Sequence, residues 1–81
     1  MIRMQKKTKL TSQDAIDKAV AFFGPNGYGL KIYEQSSTCA KFEGAGGNVE
    51  VTTCEDGKQT SVEIVATEWD TQAKEFMSKL H

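Results

Sequence analysis

Apolar and polar residues alternate along much of the stretch from Thr38 to Thr67, the two-residue period of strands whose side chains point by turns to opposite faces. Two interruptions, Gly44-Ala45-Gly46-Gly47 and Asp56-Gly57, divide it into three strands. Asp-Gly is a strong two-residue hairpin signal, because a type I′ turn needs positive φ at both central positions and this pair tolerates it. Counting outward from it predicts Glu55 opposite Lys58, Cys54 opposite Gln59, Val51 opposite Val62 and Val49 opposite Ile64, so that apolar residues meet on one face. The other face then pairs Thr52 with Ser61 and Glu50 with Glu63. The glycine run admits more than one turn. With Gly46-Gly47 as the loop, Phe42 meets Val51, Ala40 meets Thr53 and Cys39 falls opposite Cys54, and both turns give Val49 compatible hydrogen-bonding roles.

The flanking segments follow the same logic. Ile2 and Met4 alternate with Arg3, Gln5 and Lys7, which predicts a short edge strand whose lysines, Lys6, Lys7 and Lys9, discourage edge-to-edge aggregation. Thr11 or Ser12 is placed to cap a helix in which Ile16, Ala19, Val20 and Phe23 form one apolar stripe. Gly24-Pro25 ends that helix, and Asn26-Gly27 reads as a turn. Tyr28 to Glu34 alternates again, with Leu30 and Ile32 on one face and Lys31 and Tyr33 on the other. From about Thr67 the period becomes helical, with Trp69, Ala73, Phe76, Met77 and Leu80 in one stripe and Thr67 or Asp70 as the cap.

The expected fold is α+β, in the order β-α-β-β-β-β-α, an antiparallel sheet with two helices packed on one face. Such sheets commonly bury one face and leave the other open. This element order resembles that of the TATA-binding-protein-like and helix-grip folds, over nearly the whole chain. The resemblance is one of topology. The paired phenylalanine wedges that the TATA-binding family inserts into DNA have no counterpart among these residues, and no functional residue or activity is carried over.

Composition narrows the functional classes. At 81 residues, with 38% hydrophobic and 26% charged, the chain fits a single domain spanning residues 1–81 with one modest core. A formal charge of −1 offers no general attraction to nucleic acid or to an anionic membrane. No apolar run approaches the roughly 20 residues that span a bilayer, and the first ten residues are too polar for a signal peptide, so a cytoplasmic protein is expected.

Candidate chemistry is sparse. The lone histidine is His81, which leaves Cys39, Cys54 and the serines without an evident base, and two cysteines do not complete a zinc site. The glycine run lacks the Lys-Ser or Lys-Thr of a phosphate loop and precedes a strand. Glu43, Glu50 and Glu63 are expected in a row across three strands, where a solvated face is favoured over a cation site. No cofactor is expected. The favoured reading is a non-catalytic binding or interaction module with a small ligand or protein as partner, using the cleft between sheet and terminal helix or the open face. Lys31, Tyr33, Lys41, Thr52, Ser61 and Val65 are the binding candidates on that face, which is also a surface through which a homodimer could form. The alternative is a small enzyme or redox protein built on Cys39 and Cys54, whose α-carbons the assumed register sets roughly 5.5 Å apart, within disulfide range.

Overall fold

A computed structural model describes the whole chain except Asn26, Ala45 and His81. Five strands and two helices follow one another as β1 (Ile2–Thr8), α1 (Ser12–Phe23), β2 (Lys31–Gln35), β3 (Cys39–Gly44), β4 (Gly47–Asp56), β5 (Gln59–Thr67) and α2 (Asp70–Ser78). This is the expected α+β class and the expected element order. All strand pairings are antiparallel, and the sheet runs β1-β5-β4-β3-β2, so the first strand closes onto the last and the middle four form a meander.

Alternation decides the faces. Ala40 and Phe42 of β3, Val49 and Val51 of β4, and Val62, Ile64 and Ala66 of β5 are all buried on one side. Both helices supply the matching stripe: Ala15, Ile16, Ala19 and Phe23 from α1, and Ala73, Phe76 and Met77 from α2, with Leu80 just beyond it. Contacts divide by strand, α1 packing on β3 and β4 and α2 on β5 and β1. Aromatic rings tie the two helices together, Phe23 lying 5.4 Å from Phe76 and 5.7 Å from Phe42 between ring centroids.

Local chemistry sets the helix ends. Thr11 is the N-cap of α1, its hydroxyl accepting the Asp14 amide at 3.1 Å, while the Glu55 carboxylate reaches over from β4 to accept the Ser12 amide at 3.1 Å. Exposed first-turn amides attract such oxygens because no preceding turn supplies a carbonyl. At the other end, the amides of Gly24, Gly27, Tyr28, Gly29 and Leu30 donate to carbonyls of the last helical turn and of Gly24. Those bonds hold residues 28–30 against the helix, so β2 starts at Lys31 instead of Tyr28. The Asn26 part of the expected turn lies outside the described residues. Helix α2 takes Trp69 as its N-cap with no side-chain cap bond; Thr67 ends β5 and Asp70 opens the helix, so neither is the cap that their side chains suggested. Glu68, at φ 67°, makes the sharp junction between them.

Both hairpin registers differ from the expected ones by two residues. Asp56 pairs with Gln59, making Gly57-Lys58 the loop, with positive φ at Gly57 alone, the pattern of a type II′ turn. Val51 therefore faces Ile64, Val49 faces Ala66, Thr52 faces Glu63, Glu50 faces Val65 and Cys54 faces Ser61. In the preceding hairpin Gly44 pairs with Gly47, so Phe42 faces Val49, Ala40 faces Val51 and Cys39 faces Thr52. Sliding a two-residue loop by one position moves every partner by two, which leaves each side chain on its expected face.

Candidate functional site

The open face is built from the residues of opposite parity. Across it, Arg3, Val65, Glu50 and Lys41 stand in one row of partners. The next row toward α1's N-terminus runs Gln5, Glu63, Thr52 and Cys39, and beyond it Lys7, Ser61 and Cys54. The amide of Gln5 donates to the Ser61 hydroxyl at 2.6 Å.

On the β2 side the pattern is interrupted. Lys31 pairs with Glu43 and Ile32 with Phe42, but Glu34 pairs with Lys41 and Gln35 with Ala40. Tyr33 is the extra residue of a β-bulge, so that it and Glu34 together oppose Lys41. A bulge re-aims the side chain it carries, and Tyr33 stands 70% exposed, a large aromatic ring in water. Tyr33, Lys41, Phe42, Glu43, Asn48 and Glu50 line a shallow depression of about 220 Å³, although the Phe42 ring itself is buried on the other face. The Lys41 ammonium lies 3.8 Å from the Glu50 carboxylate, a solvent-screened pair.

Below the bulge, the turn into β3 is held by Ser36. Its hydroxyl accepts the amides of Thr38 at 3.3 Å and Cys39 at 3.1 Å and sits 3.4 Å from the Cys39 sulfur, while its own amide donates to the Cys39 carbonyl at 2.7 Å. These bonds close the short connection between β2 and β3.

All six candidate binding residues stand on the open face, but they do not form one site. Tyr33 and Lys41 meet in the depression, and Lys31 stands one pair further along, against Glu43. Thr52, Ser61 and Val65 lie on β4 and β5 away from it, Val65 half-buried between Arg3 and Glu50. Glu34, Glu43, Asn48 and Glu50 complete the neighbourhood; Glu34 and Asn48 were not among the candidates, and Glu43 and Glu50 were singled out only as members of the glutamate row. The bulge that gathers them leaves no mark in the alternation, since Lys31 to Gln35 reads as an ordinary strand.

Two expectations are corrected here. The glutamate row does not exist: Glu43 faces Asn48, Glu50 faces Lys41 and Val65, and Glu63 faces Thr52 and Gln5, so the three form a diagonal. Among the described residues no group of three or more acidic, histidine or cysteine side chains could hold a metal ion. Cys39 and Cys54 share the open face as free thiols, but Cys54 lies one diagonal step from Cys39 instead of directly opposite. Diagonal neighbours stand about 7–8 Å apart at Cα, at the limit of what a disulfide spans without backbone movement.

Trp69 is half-buried against the core. Its indole donates to the Gly44 carbonyl at 3.1 Å, and its ring meets Tyr28 edge-on with centroids 5.9 Å apart. Among the described residues no helix is long and apolar enough to cross a membrane. No family model, curated protein or solved structure matches this chain.

Proposed function

We propose that the chain is a non-catalytic binding module that receives a polar segment of a partner protein on its open sheet face, centred on Tyr33 and Lys41. The observation that supports this most directly is the bulge. A strand that only completed a sheet would run regularly to its end, whereas β2 spends one of its few residues on projecting an aromatic ring beside a lysine. Tyrosine suits that role because it offers large contact area with few rotatable bonds and a hydroxyl at its tip. Around it, Lys31, Lys41, Glu34, Glu43, Glu50 and Asn48 present donors and acceptors of both signs, which fits a zwitterionic peptide better than a single charged group. The region beside Trp69 is the weaker alternative, since its indole donor already has an acceptor. The proposed setting is the cytoplasm, where glutathione and thioredoxin keep thiols such as Cys39 and Cys54 reduced.

The test is site-specific photo-crosslinking in living cells, with the reactive amino acid at position 33 and, as a control, at the exposed Lys74 of α2. A partner captured from position 33 alone is then purified and its affinity measured by calorimetry against wild type and against the triple variant Lys31→Ser, Tyr33→Ser, Lys41→Ser. The triple variant is expected to fold as wild type and to bind at least ten-fold more weakly. Equal affinity in a folded triple variant would overturn the proposal.

A further inference from the structure

The opposite edge of the sheet carries a different signal. Between Met1 and Lys9 the chain holds Arg3, Lys6, Lys7 and Lys9 and no acidic residue, leaving six cations against eleven acids in the remainder. That basic segment is β1, which pairs with β5 on one side and with no described strand on the other. Every second N–H and C=O of an edge strand points outward, free to pair with an added strand. The two edges of this sheet differ in that respect, because β2 is five residues long and bulged whereas β1 pairs in unbroken register over seven.

Side chains on β1 define what could be added. Arg3 and Lys7 are exposed on the open face, with Gln5 between them, and no ion pair involves either among the described residues. Ile2 and Met4, on the helix face, are half-buried against the core and leave apolar surface at the edge. Lys6 shares that face, but its ammonium is committed, donating to the Met77 carbonyl at the end of α2 at 3.0 Å. A second copy of the chain is a poor occupant: antiparallel self-pairing centred on Gln5 sets Arg3 of one copy against Lys7 of the other, and like charges directly opposite are destabilising.

We propose that β1 is a docking edge for an extended acidic segment of a partner protein, which adds as a sixth strand with acidic side chains opposite Arg3 and Lys7 and apolar ones beside Ile2 and Met4. Backbone bonds to the outward groups supply attachment, and the alternate side chains supply selectivity, as in other cases of strand addition. This edge lies across the full width of the sheet from Tyr33, so it stands or falls independently of the binding face described above.

The experiment uses the whole chain, isotope-labelled, titrated with a synthetic seven-residue peptide alternating glutamate and valine. Expected are amide shifts concentrated in Ile2–Thr8, at least ten-fold slower hydrogen exchange at the outward amides of β1, and affinity that falls with added salt. Arg3→Glu with Lys7→Glu, both at exposed positions, should weaken binding at least ten-fold and confer binding of the matching lysine-valine peptide. Three results would overturn the proposal: shifts without slowed exchange, which means surface attraction only; equal affinity for a peptide of the same composition with its glutamates in one block; or tighter binding of a single-stranded oligonucleotide to the same residues.

Discussion

The register of the β4–β5 hairpin can be tested by energetic coupling. Val51 is fully buried and faces Ile64, while Val62 faces Thr53, one diagonal step away on the same side. Val51→Ala removes two methyl groups, about 1.6 kcal/mol of transfer free energy at ~0.8 kcal/mol per carbon, rising to roughly 2.5 kcal/mol with the unfilled space. Ile64→Val removes one carbon and should cost about 1 kcal/mol. A chain of this size is expected to be stable by roughly 4–12 kcal/mol, so the double variant should still fold. Because the two residues are directly opposed on the buried face, the double variant should be less unstable than the sum, with a coupling of at least ~0.5 kcal/mol, whereas Val51→Ala with Val62→Ala should be additive to within about 0.3 kcal/mol. Urea unfolding followed by far-ultraviolet circular dichroism and by the fluorescence of Trp69, the sole tryptophan, gives each value. With a slope near 1 kcal/mol per molar, Val51→Ala alone should lower the midpoint by about 2.5 M. Strong coupling of Val51 to Val62, with additivity toward Ile64, would refute the register and restore Asp56-Gly57 as the loop.

Two further outcomes are expected. Glu55→Ala removes the carboxylate that accepts the Ser12 amide at the start of α1 and should lower stability by about 1 kcal/mol in the same urea assay; an unchanged midpoint would show that Thr11 caps the helix sufficiently alone. Mild oxidation should join chains through the exposed Cys54 and leave few intramolecular links to Cys39, as read by non-reducing electrophoresis and peptide mapping; a quantitative Cys39–Cys54 disulfide would mean the two strands sit closer to the directly opposed register.

Faces and elements were legible in the sequence for a physical reason: burying one side of a sheet forces a period of two, and covering it forces apolar stripes at helical spacing. Phe23, Phe42, Val51 and Ile64 could be assigned to the core because nothing else satisfies those periods. Register was harder, since face parity is indifferent to a two-residue slip. Asp56-Gly57 has the composition of a type I′ loop, yet Gly57 takes the first central position and Lys58 the second, and the three glycines around Ala45 constrained the other turn no better. The check through Val49 could not expose the error, because each slip reverses the hydrogen-bonding role of Val49 in its own hairpin and the two reversals cancel. Lys31, Tyr33 and Lys41 were placed on the correct face by alternation, whereas their gathering with Glu34, Asn48 and Glu50 depends on a bulge that leaves no periodic signal. The α2 cap was missed because Glu68 turns the chain sharply before Asp70 and leaves Trp69, a poor capping residue, in the cap position.

The pairing of β1 with β5 also bears on how the protein is made. Each of the other three pairings joins neighbours in sequence, and their turns can close as soon as the second strand leaves the ribosome. Strand β1 emerges before all of them, yet its partner, Gln59–Thr67, comes more than fifty residues after Thr8 and the covering helix later still. Until that stretch is made, therefore, a strand containing Ile2 and Met4 lacks its β5 partner. Three cations within its seven residues keep that segment from pairing with another nascent copy, so the same side chains that mark the finished edge act first as gatekeepers during translation.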